Sequence, residues 1–194
     1  MKSSAMLSIQ PYWVFLIIAR KMGWNIPLEK KVEVRKAQPN PSVWNREALI
    51  YCSKNKKSFH RIPAEYQPYM AKLLGKVIGE FICDEIEDIM CLTNGLPEGA
   101  QEAWYRECKG SCLSTIDLMA YGKGKILYGM HISDLKIYDT PKELSEFKSP
   151  YLCSFGKDNG CWVELCKYNH ECVHYSPAAL TRPPQSWCYV EKSV

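Results

Sequence analysis

The sequence has no apolar run long enough to cross a membrane, because its most hydrophobic stretch, residues 13–19, is far shorter than the ~20 residues of a spanning helix. Residues 1–4 lead into this stretch without a small-residue cleavage site, so we expect no signal peptide and a cytoplasmic location. Internal repeats and low-complexity tracts are also absent from the sequence. The net charge of +4 is small; it permits a local basic patch but does not by itself indicate a nucleic-acid ligand.

Ten cysteines stand out in the composition. Thiols stay reduced in a protein that is not secreted, so metal binding or burial is favoured over a disulfide framework. At 194 residues and 46% hydrophobic content, the chain can bury one core, and we expect a single domain spanning 1–194.

Hydrophobic periodicity predicts an α+β fold of short strands with helices around them. Trp13, Leu16 and Ile17 follow helical spacing, so a helix is expected before Gly23, which would end it. Such a mixture is typical of a small β-barrel with peripheral helices. The expected helices are 10–22, 63–74 and 115–121, with a further helix start at 140–143; the expected strands are 30–36, 47–53, 76–89, 125–132, 135–138 and 185–191.

The strand expected at 30–36 alternates valines with charged residues. Val32 and Val34 would point into the core, which places Glu33 and Arg35 together on the opposite face. A carboxylate and a guanidinium on one face form either a surface ion pair or the floor of a polar cleft. Strict alternation would put Lys30 on the valine side, unless the strand begins one residue later or contains a bulge.

The opening of the chain, Leu-Ser-Ile-x-Pro at 7–11, a helix, and Lys-x-x-Glu-x-Arg at 30–35, resembles that of ASCH-domain proteins, relatives of the PUA RNA-binding barrel. The resemblance extends to a subgroup found in bacteria and their phages, and it implies a PUA-like barrel. The matching stretches follow the family's order and cover nearly the whole chain: Ile-Tyr-Cys-Ser-Lys at 50–54, Gly-Lys-Val-Ile-Gly-Glu-Phe at 75–81, His-Ile-Ser-Asp-Leu-Lys-Ile-Tyr at 131–138, Pro-Lys-Glu-Leu-Ser-Glu-Phe at 141–147, and Arg-Pro-Pro-Gln-Ser-Trp-Cys-Tyr-Val-Glu at 182–191.

This resemblance implies that Lys30, Glu33 and Arg35 line a cleft that binds RNA or a modified nucleotide, without an organic cofactor. Arg35 would be a forked donor to phosphate or a base edge, and Lys30 a point charge. Glu33 would accept from an exocyclic amine. RNA or nucleotide binding is therefore the leading prediction.

An amidohydrolase acting on an acylated nucleoside such as acetylcytidine is the alternative. In the ASCH enzymes with that activity, a lysine, a threonine and a distant glutamate act together. Here Glu33 replaces the threonine, and Ser111 lies near the position of the distant acid, with Glu107 the closest acidic candidate. A hydrolase would use Lys30 as the activating group and Glu33 or Glu107 as acid or base.

Residues 148–181 form a Cys/His-rich insert without strong periodicity. Cys153, Cys161, Cys166 and His170 form a short-spaced series, with Cys172 as the other candidate for the fourth ligand. A metal would order a loop that has few apolar residues, so we expect one structural zinc. Free thiols or an adventitious disulfide are the alternatives. A third function follows from this loop: a phage or mobile-element accessory protein that binds a protein partner through it.

A basic and aromatic surface is expected after the strand at 47–53. Cations beside aromatic rings suit single-stranded RNA, whose phosphates and bases they contact together. Lys54 and Lys57 are the residues that we expect to contact RNA, and a solvated strand exit is the alternative. The full set is Lys54, Lys56, Lys57, His60 and Arg61, with Tyr51 and Phe59 between them.

Overall fold

The computed structural model describes residues 3–89, 110–149 and 178–192, and in these ranges the fold is α+β with sheets dominating. None of the helices in these ranges is long and apolar enough to span a membrane. The strands are β1 (Ser3–Ile9), β2 (Val32–Arg35), β3 (Trp44–Cys52), β4 (Val77–Ile82), β5 (Ile86–Ile89), β6 (Leu127–His131), β7 (Ser133–Lys142), β8 (Phe147–Ser149), β9 (Ala178–Ala179) and β10 (Trp187–Lys192). The helices are α1 (Pro11–Met22), α2 (Lys56–Phe59), α3 (Gln67–Ala71) and α4 (Thr115–Gly122), with 3-10 turns at Ala64–Tyr66 and Leu144–Glu146.

The described strands form two sheets and do not close into the expected barrel. The larger sheet has the order β7-β4-β3-β1-β10-β8-β9, and the smaller has the order β2-β6-β5. The side chain of Arg35 on β2 donates hydrogen bonds to two carbonyl groups of the larger sheet and its border. One belongs to Ser8 in β1, and the other to Ser186, directly before β10. A side chain thus bridges the two sheets at this point, where a closed barrel would continue a backbone ladder.

Residues 76–89 form two strands in different sheets, so the prediction of one long strand is wrong. The chain leaves β4 at residues 83–85, where Asp84 and Glu85 are exposed. Arg46 Nη1 donates to the carbonyl of Asp84 at 2.7 Å, and the Cys83 thiol donates to the carbonyl of Glu85 at 3.1 Å. These contacts hold the turn that carries β5 into the smaller sheet.

The helix expected at 10–22 is confirmed as α1. Pro11 occupies its first turn, where a missing N–H is tolerated. Gly23 ends it in the left-handed region, at φ +64°, and its N–H donates to a carbonyl of the last turn. The apolar residues from Val14 to Ala19 are all buried, and they pack the helix onto the sheet.

The main core lies between α1 and the middle strands β1, β3 and β4. Alternate residues of β1 point to opposite faces, so Leu7 joins this core, whereas Met6 joins a second cluster on the other face. A third cluster packs Val32 and Val34 of β2 against Leu118 of α4. The valines therefore face away from Glu33 and Arg35, as the alternation predicted.

Two of the other expected helices differ from the structure. The capping box at Ser114 opens α4 as expected. By contrast, β7 continues to Lys142, because its residues pair with β4, so the helix start at 140–143 is wrong. The helix expected at 63–74 is confined to a 3-10 turn and the five residues of α3.

Most of the 148–181 insert lies outside the described residues.

Candidate functional site

Lys30 lies just before β2 and is almost completely buried, at 2% exposure. Its Nζ donates to the carbonyl oxygens of Val32 and Ser111, both at 2.9 Å, and lies 3.2 Å from Oε2 of Glu33. Because the strand begins at Val32, Lys30 is free of the strand alternation and turns to the side of Glu33. A buried ammonium group needs such partners to offset the loss of water.

Glu33 lies between Lys30 and Arg35. Its Oε1 lies 2.9 Å from Nη2 of Arg35, and its side chain is only 8% exposed. Its Oε2 contacts Lys30 as an ion pair, although this oxygen accepts no well-directed hydrogen bond. The Glu33–Arg35 pair is therefore buried rather than exposed on the surface. We call Lys30, Glu33 and Arg35 the ionic cluster.

Arg35 fixes the ionic cluster to the larger sheet. Its Nη2 donates to the carbonyl of Ser8 at 3.0 Å, and its Nη1 donates to the carbonyl of Ser186 at 3.1 Å. The planar guanidinium reaches a carboxylate and two carbonyls at once, a geometry that a lysine ammonium does not offer. Arg35 thus holds β2 against β1 and the start of β10.

The ionic cluster carries an excess positive charge, because two cations surround one carboxylate. Within the described residues, Nε of Arg35 is buried and has no hydrogen-bond partner. A buried donor left without a partner costs about 1–3 kcal/mol. The cluster therefore combines a net positive charge with one unused donor, and both features favour an anion or an acceptor nearby.

Two rings of α1 connect the ionic cluster to the protein surface. Nζ of Lys30 lies 5.2 Å from the ring centroid of Trp13. The guanidinium carbon of Arg61 lies 5.0 Å from the same centroid and 4.1 Å from that of Tyr12. Arg61 is exposed, whereas Tyr12 and Trp13 are half-buried. We call Tyr12, Trp13 and Arg61 the aromatic wall, since a cation lies over both of its rings.

The segment after residue 109 completes the surroundings of Lys30. Ser111 is fully buried, and the carbonyl of Gly110 accepts from the N–H groups of Lys31 and Val32 at 2.7 and 3.0 Å. Burial raises the pKa of the adjacent Cys112 thiol, and the charge of Lys30 only partly opposes this shift. Cys112 is therefore a neutral thiol rather than a reactive nucleophile.

The predicted basic surface forms in part. Lys54 and Lys57 are exposed, as is the rest of the cationic set at 54–61. Tyr51, however, is 4% exposed and packs in the second core cluster, so its assignment to this surface is wrong. Residues 48–52 of β3 are all buried and alternate between two core clusters, and Tyr51 lies with Leu49 in the second one. Lys56 and Lys57 begin the short helix α2 rather than an irregular strand exit.

Several predicted site residues lie outside the described residues. They are the acid candidate Glu107 and the zinc candidates Cys153, Cys161, Cys166, His170 and Cys172. In the ranges 3–89, 110–149 and 178–192, no group of three or more Cys, His, Asp or Glu is placed to hold a metal. The zinc site therefore stays a prediction.

Sequence patterns missed the aromatic wall. Trp13 fits the apolar stripe of α1, and Tyr12 adjoins it, so helical periodicity assigns this end of the helix to the core. Arg61 was included in the basic surface without any link to α1. The one available signal is the pair of neighbouring aromatic residues directly after Pro11, in the first turn of the expected helix.

Comparisons with known proteins reveal a structural likeness. No protein-family model matches the chain, and no curated protein matches it. The chain is similar to the crystal structure of ASCH from Zymomonas mobilis, with 18% identity, a TM-score of 0.51, and coverage of 98% of this chain and 89% of that chain. A serine-to-alanine variant of that protein gives 17% identity, a TM-score of 0.53, and coverage of 98% and 90%.

The tyrosine-to-phenylalanine variant of the same protein gives 17% identity, a TM-score of 0.52, and coverage of 98% of this chain and 92% of that chain. The α+β architecture and its sheet-dominated core fit the PUA-like fold that the sequence predicted. Membership of the bacterial and phage subgroup stays a prediction. The chain therefore shares the fold of the Zymomonas mobilis ASCH structures.

Proposed function

We propose that the protein binds RNA or a nucleotide in a cleft whose floor is the ionic cluster and whose side is the aromatic wall. The observation that carries this proposal is the position of Trp13, which has the buried Lys30 at 5.2 Å and the exposed Arg61 at 5.0 Å. The site thus extends from the buried ammonium group of Lys30, past the ring of Trp13, to the exposed guanidinium of Arg61. That combination suits a ligand with an anionic backbone and aromatic bases.

The ionic cluster acts from beneath the ligand. Lys30, Glu33 and Arg35 are each less than 10% exposed, so the cluster supplies a fixed positive potential rather than a broad contact surface. Arg35 Nε, the unused donor, would gain a partner if a ligand acceptor approached it. Glu33 would accept from an exocyclic amine of a base.

We expect the exposed cations to contact the phosphates directly. Arg61 lies on the aromatic wall, and the neighbouring segment presents Lys54 and Lys57 to solvent. Arginine offers several donors in a plane and can stack on a ring while it donates to a phosphate. We therefore expect Arg61 to contribute most of the RNA affinity among the surface residues, and the two lysines to contact further phosphates along the RNA.

Binding of a fluorescent single-stranded RNA, measured by anisotropy at low salt, tests this function. Arg61→Gln should weaken binding about tenfold or more, because a charge-assisted hydrogen bond contributes about 1.5–3 kcal/mol. Arg61→Lys should recover part of the affinity, since it restores the charge. The matched control is Lys148→Gln, an exposed lysine on β8. Equal affinities of wild type and Arg61→Gln would overturn the proposed cleft.

Hydrolysis of an acylated nucleoside is a second candidate, favoured by the contact between Lys30 and Glu33 in a site shielded from water. Lys30 already donates to two carbonyls, so it would serve as a fixed charge for a developing oxyanion rather than as a nucleophile. Glu33 would be the acid or base. Lys30→Met should then abolish turnover of acetylcytidine in a folded protein; turnover that survives the change would remove Lys30 from the mechanism.

A further inference from the structure

A separate pocket of about 330 Å³ lies beside the cleft, on the surface formed by α2 and the segment before β4. This volume is at the lower end of the range for small-molecule sites, roughly 300–1,000 Å³. It suits a fragment such as one nucleotide unit better than a larger ligand. The residues that line it are Lys54, Asn55, Lys56, Phe59, His60 and Leu74.

The pocket combines positive charge with an aromatic ring. Lys54, Lys56 and His60 are exposed, and Phe59 is half-buried, with its ring centroid 6.3 Å from that of His60. The described lining residues include no acidic side chain. Charged amines beside a partly exposed ring can contact a phosphate and a base together.

The side chain of Lys54 lies against Gly75. A Cβ at Gly75 would lie 2.3 Å from Cε of Lys54, and the backbone there has φ +80°. Only glycine permits this approach with little strain.

The pocket and the cleft are neighbours. His60 lines the pocket, and the next residue, Arg61, lies over Tyr12 of the aromatic wall. A hydrogen bond from the backbone N–H of Tyr12 to Oγ of Ser58, at 3.0 Å, fixes α2 to the start of α1. The pocket and the aromatic wall therefore adjoin each other through α2.

We propose that the pocket is a second nucleotide subsite, so that the ligand is single-stranded RNA of at least two nucleotides rather than a mononucleotide. This inference rests on the proposed function of the cleft. One base stacks on Phe59, Lys54 and Lys56 contact the adjoining phosphate, and the strand continues past Arg61 to Trp13. Mononucleotides occupy the cleft alone.

The test compares uridine 5′-monophosphate with hexauridylate, by calorimetry and by competition against a labelled RNA. The variants are Phe59→Leu, which keeps apolar packing but removes the ring, and Lys56→Gln, which removes a positive charge that lines the pocket. Both should bind hexauridylate about tenfold more weakly than wild type, as expected for the loss of one stacked base or its phosphate contacts. Both should bind the mononucleotide as wild type does, and Lys148→Gln should change neither affinity.

Two results would overturn the inference while leaving the cleft intact. One is equal affinity of wild type for the two ligands, and the other is an undiminished hexauridylate affinity in both pocket variants. Failure of wild type to bind either ligand would overturn the proposed function itself, and the subsite with it. Thermal melts of each variant establish that a loss of affinity does not come from unfolding.

Discussion

Replacing Glu33 by glutamine would leave two buried cations without the carboxylate between them. The carboxylate oxygens lie 2.9 Å from Nη2 of Arg35 and 3.2 Å from Nζ of Lys30, whose side chains are only 6% and 2% exposed. Glutamine has nearly the same shape, so the change removes charge with little loss of packing. Removing one partner of a buried ion pair costs about 3–5 kcal/mol, since the remaining charge stays uncompensated. At this chain length, that cost lowers Tm by about 6–20 °C.

Urea unfolding followed by tryptophan fluorescence gives the free energy of unfolding from the midpoint and the slope. The chain supplies a matched control in Glu29→Gln. Glu29 also contacts a lysine, with Oε2 2.8 Å from Nζ of Lys31, but these side chains are 55% and 56% exposed. Water and salt screen an exposed pair, so the control should leave the urea midpoint unchanged.

Equal urea midpoints for Glu33→Gln and Glu29→Gln would refute this reasoning. That outcome would mean that water reaches Lys30 and Arg35, and that the ionic cluster is an ordinary surface ion pair. If Glu33→Gln does not fold, the double variant Lys30→Met with Glu33→Gln keeps the prediction testable. It removes a cation together with the carboxylate, so it should be more stable than the single variant.

Three further predictions concern other parts of the chain. Gly79→Ala should destabilise the fold by about 1–3 kcal/mol, because its Cβ would lie 2.3 Å from the carbonyl oxygen of Lys136 across β4 and β7; an unchanged urea midpoint would contradict this. Ser114→Ala should cost about 0.5–2 kcal/mol near neutral pH, because Oγ of Ser114 caps α4 by accepting a hydrogen bond from the N–H of Asp117 at 3.1 Å. The same hydroxyl donates to the carboxylate of Asp117 and holds its pKa below the usual 3.8. The part of this stability that comes from the lowered pKa is fully present above the unfolded-state pKa and is lost as pH falls through the folded-state pKa, so the cost should shrink only in acid. A cost unaffected by acid would count against the hydrogen bond from Ser114 to the carboxylate of Asp117. Protein purified under reducing conditions should contain about one zinc per chain if residues 153–172 bind metal, with a Tm that chelator lowers; a metal-free protein would make these cysteines free thiols.

The sequence predicts elements whose stability is local. α1 was predictable because Trp13, Leu16 and Ile17 follow helical spacing, and because Gly23 adopts the left-handed conformation that ends a helix. α4 was predictable from Ser114 and Asp117, which exchange capping hydrogen bonds three residues apart. These signals involve neighbours along the chain, so no knowledge of the tertiary structure was needed.

The arrangement of the site depends on contacts between distant segments. Lys30 reaches the carbonyl of Ser111, 81 residues away, and Arg35 reaches Ser186, 151 residues away. No periodicity near Lys30 contains this information. The break between β4 and β5 was missed for the same reason: the apolar pattern continues through Cys83, and only pairing with different strands separates the two halves.

The salt dependence of single-stranded RNA binding tests the central claim most directly. For single strands, each phosphate contact adds about 0.7 to the slope of log K against log salt concentration, through release of bound counterions. With contacts from Arg61, Lys54 and Lys57, we expect a slope of about −2 for wild type, reduced in magnitude by about 0.7 in Arg61→Gln. An affinity that does not change with salt, or one slope shared by both proteins, would contradict an RNA site at the aromatic wall.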